Sequence, residues 1–292
     1  ILYNNVRVKD EAAELTTDVL FYNTKQKIGR YFTGGNIKNE QTTLISTKGY
    51  YNANTRLAYF KDSVVLNDPE YRLVADTLGY DIENGKAHFF GPTNIYNKEN
   101  TIYCERGYFD SENESGVFKQ NAVMQNPPQT IAADSIFYDQ KKNIGIAQGN
   151  VVFSDTAEDI IQYSQYARYN DSTNMVVAHT QVLLVNIMDE DSLFITADTL
   201  RSIQKSGSSD REMFAYNHVK MYKSNMQGAC DSLAYTDADS TIRLFGAPVL
   251  WTDSSQFSGD TIVIQLRERT IHQVDFYRNA FIISQADSLL FN

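Results

Sequence analysis

The sequence predicts an all-β chain, an elongated solenoid or jelly-roll-like stack of tandem two-strand modules. Three observations predict it. A short phrase recurs about ten times at a spacing near 29 residues. Both halves of each module alternate apolar and polar side chains and are rich in Tyr, Phe, Val, Ile and Thr. No stretch holds a 3.6-residue apolar period well, and Asp155 to Gln165 comes nearest to one.

The first phrase reads small residue, Asp, Ser or Thr, Leu or Ile, any residue, aromatic. Ala75 to Tyr80, Ala133 to Tyr138, Cys230 to Tyr235 and Ala286 to Phe291 are clear copies. Thr17 to Tyr22 is close, and Ala197 to Leu200 and Gly259 to Ile262 keep the first four positions. Weaker copies begin at Ser46, Cys104 and Ser164. The Asp position falls at 18, 47, 76, 105, 134, 165, 198, 231, 260 and 287, so its first four steps are all 29 residues. A second phrase follows about 14 residues later, as in Phe60 to Leu66, Ala147 to Phe153 and Ala215 to Met221. Turn-formers lie between the two, for example Asn52-Ala53-Asn54 and Asp237-Ala238-Asp239. One module cannot bury its own apolar face, whereas stacked modules can. Residues 1–292 are therefore read as one continuous domain, with 1–155 and 163–292 as candidate sub-stacks. Thr156 to Gln162 reads as added polar length, Val182 to Phe194 as irregular, and Gln204 to Arg211 as a surface loop.

Composition narrows the function. The chain has 292 residues, 42% of them apolar, and 16 Phe plus 19 Tyr, too many for a solvated coil. Its net charge of −10 argues against a nucleic-acid partner. The longest apolar run, Val182 to Val185, is far short of the roughly 18 residues of a spanning helix. The histidines stand singly (His88, His179, His218 and His272), and no metalloprotease, serine-hydrolase or phosphate-loop motif occurs. The expectation is no catalysis, no cofactor and no metal. The Asp column is read as capping turns or bonding nearby backbone N–H groups, with a metal as the lesser alternative. Cys104 and Cys230 lie four modules apart, roughly 20 Å or more at about 4.8 Å per strand, which is too far for a disulfide.

Period-two geometry puts Asp, Leu and Tyr of the first phrase on one face (76, 78, 80) and Ala and Thr on the other (75, 77). The Leu/Tyr set and the Val/apolar set of the second phrase are assigned to the inside, with the Asp on a wet rim. This inner set is either a solenoid core filled by its own side chains or an apolar trough open to a long ligand. The alternation does not choose between them. Both chain ends fall mid-module, which reads as a slice of a longer array or as two open strand edges. Open edges are templates for strand addition.

The phrase Ala-Asp-Ser/Thr-Leu-x-Tyr, followed by a Gly-Asn-Val-type strand, resembles the OstA-like (organic solvent tolerance), LptA-like repeats from about Asn4 to Phe291. Those repeats form the periplasmic lipopolysaccharide-transport bridge protein and the N-terminal domain of the outer-membrane lipopolysaccharide assembly protein. The resemblance implies an open β-jelly-roll, or β-taco, whose apolar interior holds acyl chains without catalysis. It implies a periplasmic location in a Gram-negative bacterium, with or without outer-membrane association. Its partners would be lipopolysaccharide or a related lipid and other β-jelly-rolls joined end to end. Carried over by position, the lining from the first phrases would be Leu20, Tyr22, Tyr51, Leu78, Tyr80, Ile136, Tyr138, Leu200, Leu233 and Tyr235. From the second phrases it would be Ile37, Val64, Leu66, Phe89, Ile95, Val151, Phe153, Val219 and Met221. The rival readings are a scaffold solenoid with a filled core and a carbohydrate-active solenoid with clustered carboxylates.

Overall fold

The computed structural model describes residues 1–9, 13–39, 41–81, 83–98, 100–188, 191–204, 210–267 and 270–284. The repeat copy at Asp287 and residues 205–209 of the expected surface loop lie outside them. The described residues are strands joined by short turns, with one turn of 3-10 helix at Asp171–Thr173. They form two units, Ile1–Ala147 and Gln148–Asn292.

Unit 1 holds β1 (Leu2–Lys9), β2 (Glu14–Asn23), β3 (Ile28–Tyr31), β4 (Gly35–Lys38), β5 (Thr43–Ser46) and β6 (Lys48–Asn52). It continues through β7 (Leu57–Asn67), β8 (Arg72–Asp81), β9 (Lys86–Tyr96), β10 (Thr101–Asp110), β11 (Ser115–Asn126) and β12 (Gln129–Asp139). The division falls inside β13 (Ile144–Asp155). Unit 2 holds β14 (Ile160–Asn170), β15 (Met175–Ile187), β16 (Ser192–Gln204), β17 (Arg211–Lys223) and β18 (Met226–Thr236). It ends with β19 (Thr241–Phe245), β20 (Val249–Trp251), β21 (Ser255–Ser258), β22 (Thr261–Arg267), β23 (Thr270–Tyr277) and β24 (Phe281–Ser284).

Each unit is an antiparallel meander. In unit 1, β7 to β12 pair in sequence order; β3 with β4, and β5 with β6, act as two broken strands between β2 and β7. In unit 2, β14 to β18 pair in order, and β19 with β20 forms a broken strand against β18. Hairpin ends are held by side chains that accept backbone N–H groups two or three residues on: Asn23, Asn39, Asp81, Asp110 and Asp139 among them. This is the Asx-turn chemistry that favours these residues between strands.

The 29-residue spacing has its own structural cause. Midway along alternate strands, two consecutive residues take positive φ: Asp62–Ser63 (63° and 56°), Gln120–Asn121 (60° and 56°), Thr180–Gln181 (68° and 57°) and Asn217–His218 (62° and 54°). Gly34 and Gly91 serve alone at 91° and 97°. On the neighbouring strand one residue faces each pair. Lys61 pairs with Thr77 and Val64 with Ala75, leaving Asp76 opposite Asp62–Ser63. Asp134, Asp198 and Asp231 occupy the same place on β12, β16 and β18. A two-against-one bulge bends a strand, and bulges aligned across a sheet bend it along a line. This line is called the corner below.

The corner changes two expectations. The Asp column lies mid-strand, exposed at the corner, and other Asn and Asp residues cap the turns. Asp198 binds the His218 ring at 2.9 Å, and Asp260 accepts from Asn279 Nδ2 at 3.1 Å. In addition, the alternation slips by one residue at each Asp. Ala75 and Leu78 are therefore both buried (4% and 1% exposed) while Asp76 between them is exposed. Of the expected irregular region Val182 to Phe194, Val182 to Ile187 is the end of β15 and Ser192 to Phe194 the start of β16, paired in regular register, while residues 189 and 190 lie outside the described residues. Asp155 to Gln165 is a hairpin with no helix, so Thr156 to Gln162 is a turn and the start of β14.

Candidate functional site

The inner face of unit 1 is four rows of side chains running across the strands. The row at one margin reads Tyr22, Gly29, Tyr51, Ala58, Tyr80, Ala87, Phe109, Gly116, Tyr138, an alternation of ring and small residue set by the pairing register. Tyr51, Tyr80 and Phe109 each face a Gly or Ala on both neighbouring strands. The next row, beside the corner, reads Gly49, Phe60, Leu78, Phe89, Gly107, Phe118, Ile136. Phe89 and Phe118 stack there, with centroids 6.3 Å apart. Past the corner comes a row of small residues, including Val64, Ala75, Thr93 and Cys104. The far margin is aliphatic: Ile37, Leu44, Leu66, Leu73, Ile95, Ile102, Met124, Ile131.

Burial follows these rows. Beside the corner, Val64 is 0% exposed and Phe89 is 2%. At the margins, Tyr22, Tyr51 and Tyr80 are exposed, while Ile37, Leu66, Ile95 and Tyr138 are half-buried. Small residues lie on one side of the corner, and the large rings of Phe60, Phe89 and Phe118 on the other. In unit 2 the deep row is Ala178, Leu200, Ala215, Leu233, Leu244, Ile262. An aliphatic margin there includes Leu184, Ile195, Met221 and Leu250.

Of the residues singled out from sequence, Leu20, Val64, Leu78, Phe89, Ile136, Val151, Leu200, Val219, Met221 and Leu233 are buried. Phe153 and Tyr235 are half-buried. Sequence reasoning missed Phe118, Phe109, Tyr31 and the small residues between the rings. Phe118 and Phe109 stand in the weaker, variant modules. Tyr31 closes β3, where a broken strand interrupts the phrase. Its ring crosses the corner, and its hydroxyl shares a 2.6 Å hydrogen bond with Ser46 Oγ. Burial pushes the Tyr31 hydroxyl above its usual pKa, partly offset by Ser46.

Other chemistry is sparse. Among the described residues no group of three His, Cys, Asp or Glu could hold a metal, and no helix is long and apolar enough to cross a membrane. Cys104 and Cys230 are free, and burial pushes each thiol up to about 11. On the outer face His179 stacks on Tyr166 at 4.3 Å, and His88 lies between Phe90 and Tyr108. The His179–Tyr166 and His88–Tyr108 pairs are cross-strand pairs of the kind that stabilise a sheet, and Phe90 is two residues along the same strand from His88.

Comparison with known families bears on the rows directly. The model of the OstA-like protein family matches residues 1–76 and 72–134. A second model, the LptA/(LptD N-terminal domain) LPS transport protein, matches residues 163–270. This chain belongs to the OstA-like, LptA-like family. Its nearly all-antiparallel sheet is consistent with the β-jelly-roll that the resemblance implies. Among solved structures, LptH of Pseudomonas aeruginosa is similar: 12% identical over 55% of this chain and 96% of that one, with a TM-score of 0.25. It is described as the LptA homologous periplasmic component of the conserved lipopolysaccharide transport device. No curated protein matches the chain.

Proposed function

We propose that this chain is a non-catalytic, periplasmic, lipid-holding module of lipopolysaccharide transport in a Gram-negative envelope. The inner faces of its units would take acyl chains of lipopolysaccharide or a related lipid. The observation that carries the reading is the course of burial across the inner face. In unit 1 large apolar side chains are buried beside the corner, Val64 and Phe89 among them, while the rings of one margin are exposed and the aliphatic margin mixes buried Leu44 and Leu73 with half-buried Ile37, Leu66 and Ile95. A packed core has no reason to leave Tyr22, Tyr51 and Tyr80 at 49%, 39% and 37% exposure on its inner side. Membership of a family described by LPS transport supports the same reading.

The energetics are sufficient. Burying an acyl chain contributes about 0.8 kcal/mol per CH₂, so a chain of about 14 carbons contributes on the order of 10 kcal/mol gross. Repulsion between an acidic surface and a lipid phosphate is screened within about 8 Å in physiological salt. Nothing in this chemistry sets a direction of movement, which would come from partners, including other β-jelly-rolls stacked end to end.

The test uses a photo-crosslinking amino acid at two positions on neighbouring strands. Tyr80 lies in the inner marginal row and Tyr59 on the outer face of β7. Both are similarly exposed, at 37% and 41%. Lipid adducts at position 80 and none at 59, after irradiation in a Gram-negative periplasm, are expected. Equal yields, or none at either position, would favour a scaffold whose interior is filled by its own side chains.

A further inference from the structure

The inner face of unit 2 departs from its apolar pattern at one place. In the aliphatic marginal row, the position on β14 is Gln162, paired with Leu184. Ser164 stands two residues along the same strand and therefore on the same face. Asn186 stands two residues beyond Leu184, opposite Ile160 and diagonal to Gln162. Diagonal neighbours of this kind are about 7–8 Å apart, within reach of long side chains. Gln162 and Ser164 are 5% and 3% exposed, and Val182, Leu184 and Ile195 around them are buried apolar residues. Ser164 Oγ and Asn186 Oδ1 are buried without a hydrogen-bond partner among the described residues.

Unit 1 handles the same situation differently. Its buried inner-face hydroxyls all find partners in the protein. Thr17 Oγ1 donates to the Gly34 carbonyl at 2.7 Å, and Thr93 Oγ1 to the Gly91 carbonyl at 3.0 Å. Ser46 Oγ donates to the Lys48 carbonyl at 3.0 Å. Burying a polar atom without a partner costs stability, and such atoms in folded proteins are satisfied by a water or a ligand. An apolar residue at 164 or 186 would avoid that cost.

We propose that Gln162, Ser164 and Asn186 form a polar station that binds the hydroxyl or amide of an acyl chain lying along the inner face of unit 2. This rests on the acyl-holding reading above and names the chain it selects. The chemistry follows from donors and acceptors. Asn186 Oδ1 only accepts, so its partner must donate, which excludes a plain ester or thioester. Ser164 Oγ and the Gln162 amide can each give or take a hydrogen bond. A hydroxyl or a secondary amide both donates and accepts, so one such group satisfies Asn186 together with its diagonal neighbour Gln162, or Gln162 together with Ser164 two residues along β14; Ser164 and Asn186, about 13 Å apart along the strand, are met by different polar atoms of the chain. A plain hydrocarbon satisfies none of them.

The experiment measures displacement of a fluorescent fatty acid from the purified full chain by palmitate and by 3-hydroxypalmitate. The native chain should bind the hydroxylated chain about tenfold more tightly, the worth of one well-made buried hydrogen bond. The Ser164→Ala/Asn186→Leu double variant should keep its palmitate affinity and lose the preference. Ser164→Ala alone, which removes a single oxygen, should lose part of it and guards against a folding defect in the double variant. Equal binding of the two chains by the native protein overturns the station, as does a preference that survives both variants. Failure of either chain to displace the probe overturns the acyl reading itself, so the two failures are told apart.

Discussion

Tyr31 offers a sharp test of how the corner is packed. Its ring fits between two glycines from different strands. A Cβ built on Gly49 would lie 2.1 Å from Tyr31 Cε1 and 2.3 Å from Cζ, and one on Gly35 would lie 2.4 Å from Cζ. Backbone holds the ring on both sides, so a methyl at position 49 must push it out of place. Overpacking of this kind costs about 1–3 kcal/mol. Displacing the ring also strains the Tyr31–Ser46 hydrogen bond, worth about 1 kcal/mol. Gly49→Ala should therefore destabilise by about 2–4 kcal/mol, read as a lower urea midpoint by far-UV circular dichroism. Tyr31→Ala should cost about 3–5 kcal/mol through the cavity it leaves. In the double variant the new methyl enters that cavity, so Gly49→Ala should become nearly neutral. If the two costs add to within about 0.5 kcal/mol, the residues are uncoupled and this account of the corner is wrong.

Three further predictions follow from the corner and the turns. Thr180 is β-branched at a φ of 68°, where Gly149 on β13 and Gly246 in the break between β19 and β20 take 75° and 76°. Thr180→Gly should raise stability by about 1 kcal/mol, whereas Gly91→Ala, at a φ of 97° and with Asp76 Cβ 3.1 Å from the new methyl, should lower it. Asn113 hydrogen bonds hold the Asp110 carboxyl below its usual range, and Lys142 does the same for Asp139. A depressed carboxyl contributes stability above its unfolded pKa of about 4 and loses it as pH falls through the folded value. The gap between urea midpoints at pH 7 and pH 3 should thus narrow in Asp110→Asn/Asp139→Asn; an unchanged gap would show that other groups control the acid transition. Finally, Cys104 is 0% exposed with its thiol raised to about 11, so it should resist iodoacetamide at pH 8 until the protein is unfolded. Rapid native labelling, followed by mass spectrometry of the Cys104 peptide, would contradict its placement beside the corner.

Much of the architecture was legible in the residues alone. Polar residues stand opposite the positive-φ positions of the corner, and Asp recurs there at 18, 76, 134, 198 and 231, at steps of 58, 58, 64 and 33 residues. Alternating Tyr, Phe, Val and Ile between Asn- and Asp-rich turns mark the strands, because such turns need local side-chain acceptors wherever the chain sits. Those are local demands, and a local pattern records them. Which wing a side chain faces was not legible from alternation. One residue against two at the corner shifts the count, putting Ala75 and Leu78 on the same side of the sheet. Nor could spacing reveal that Tyr51 rests between Gly29 and Ala58, or that Gln162, Ser164 and Asn186 share one face of the sheet. Those relations join strands through their register, and only the paired, folded sheet brings them together.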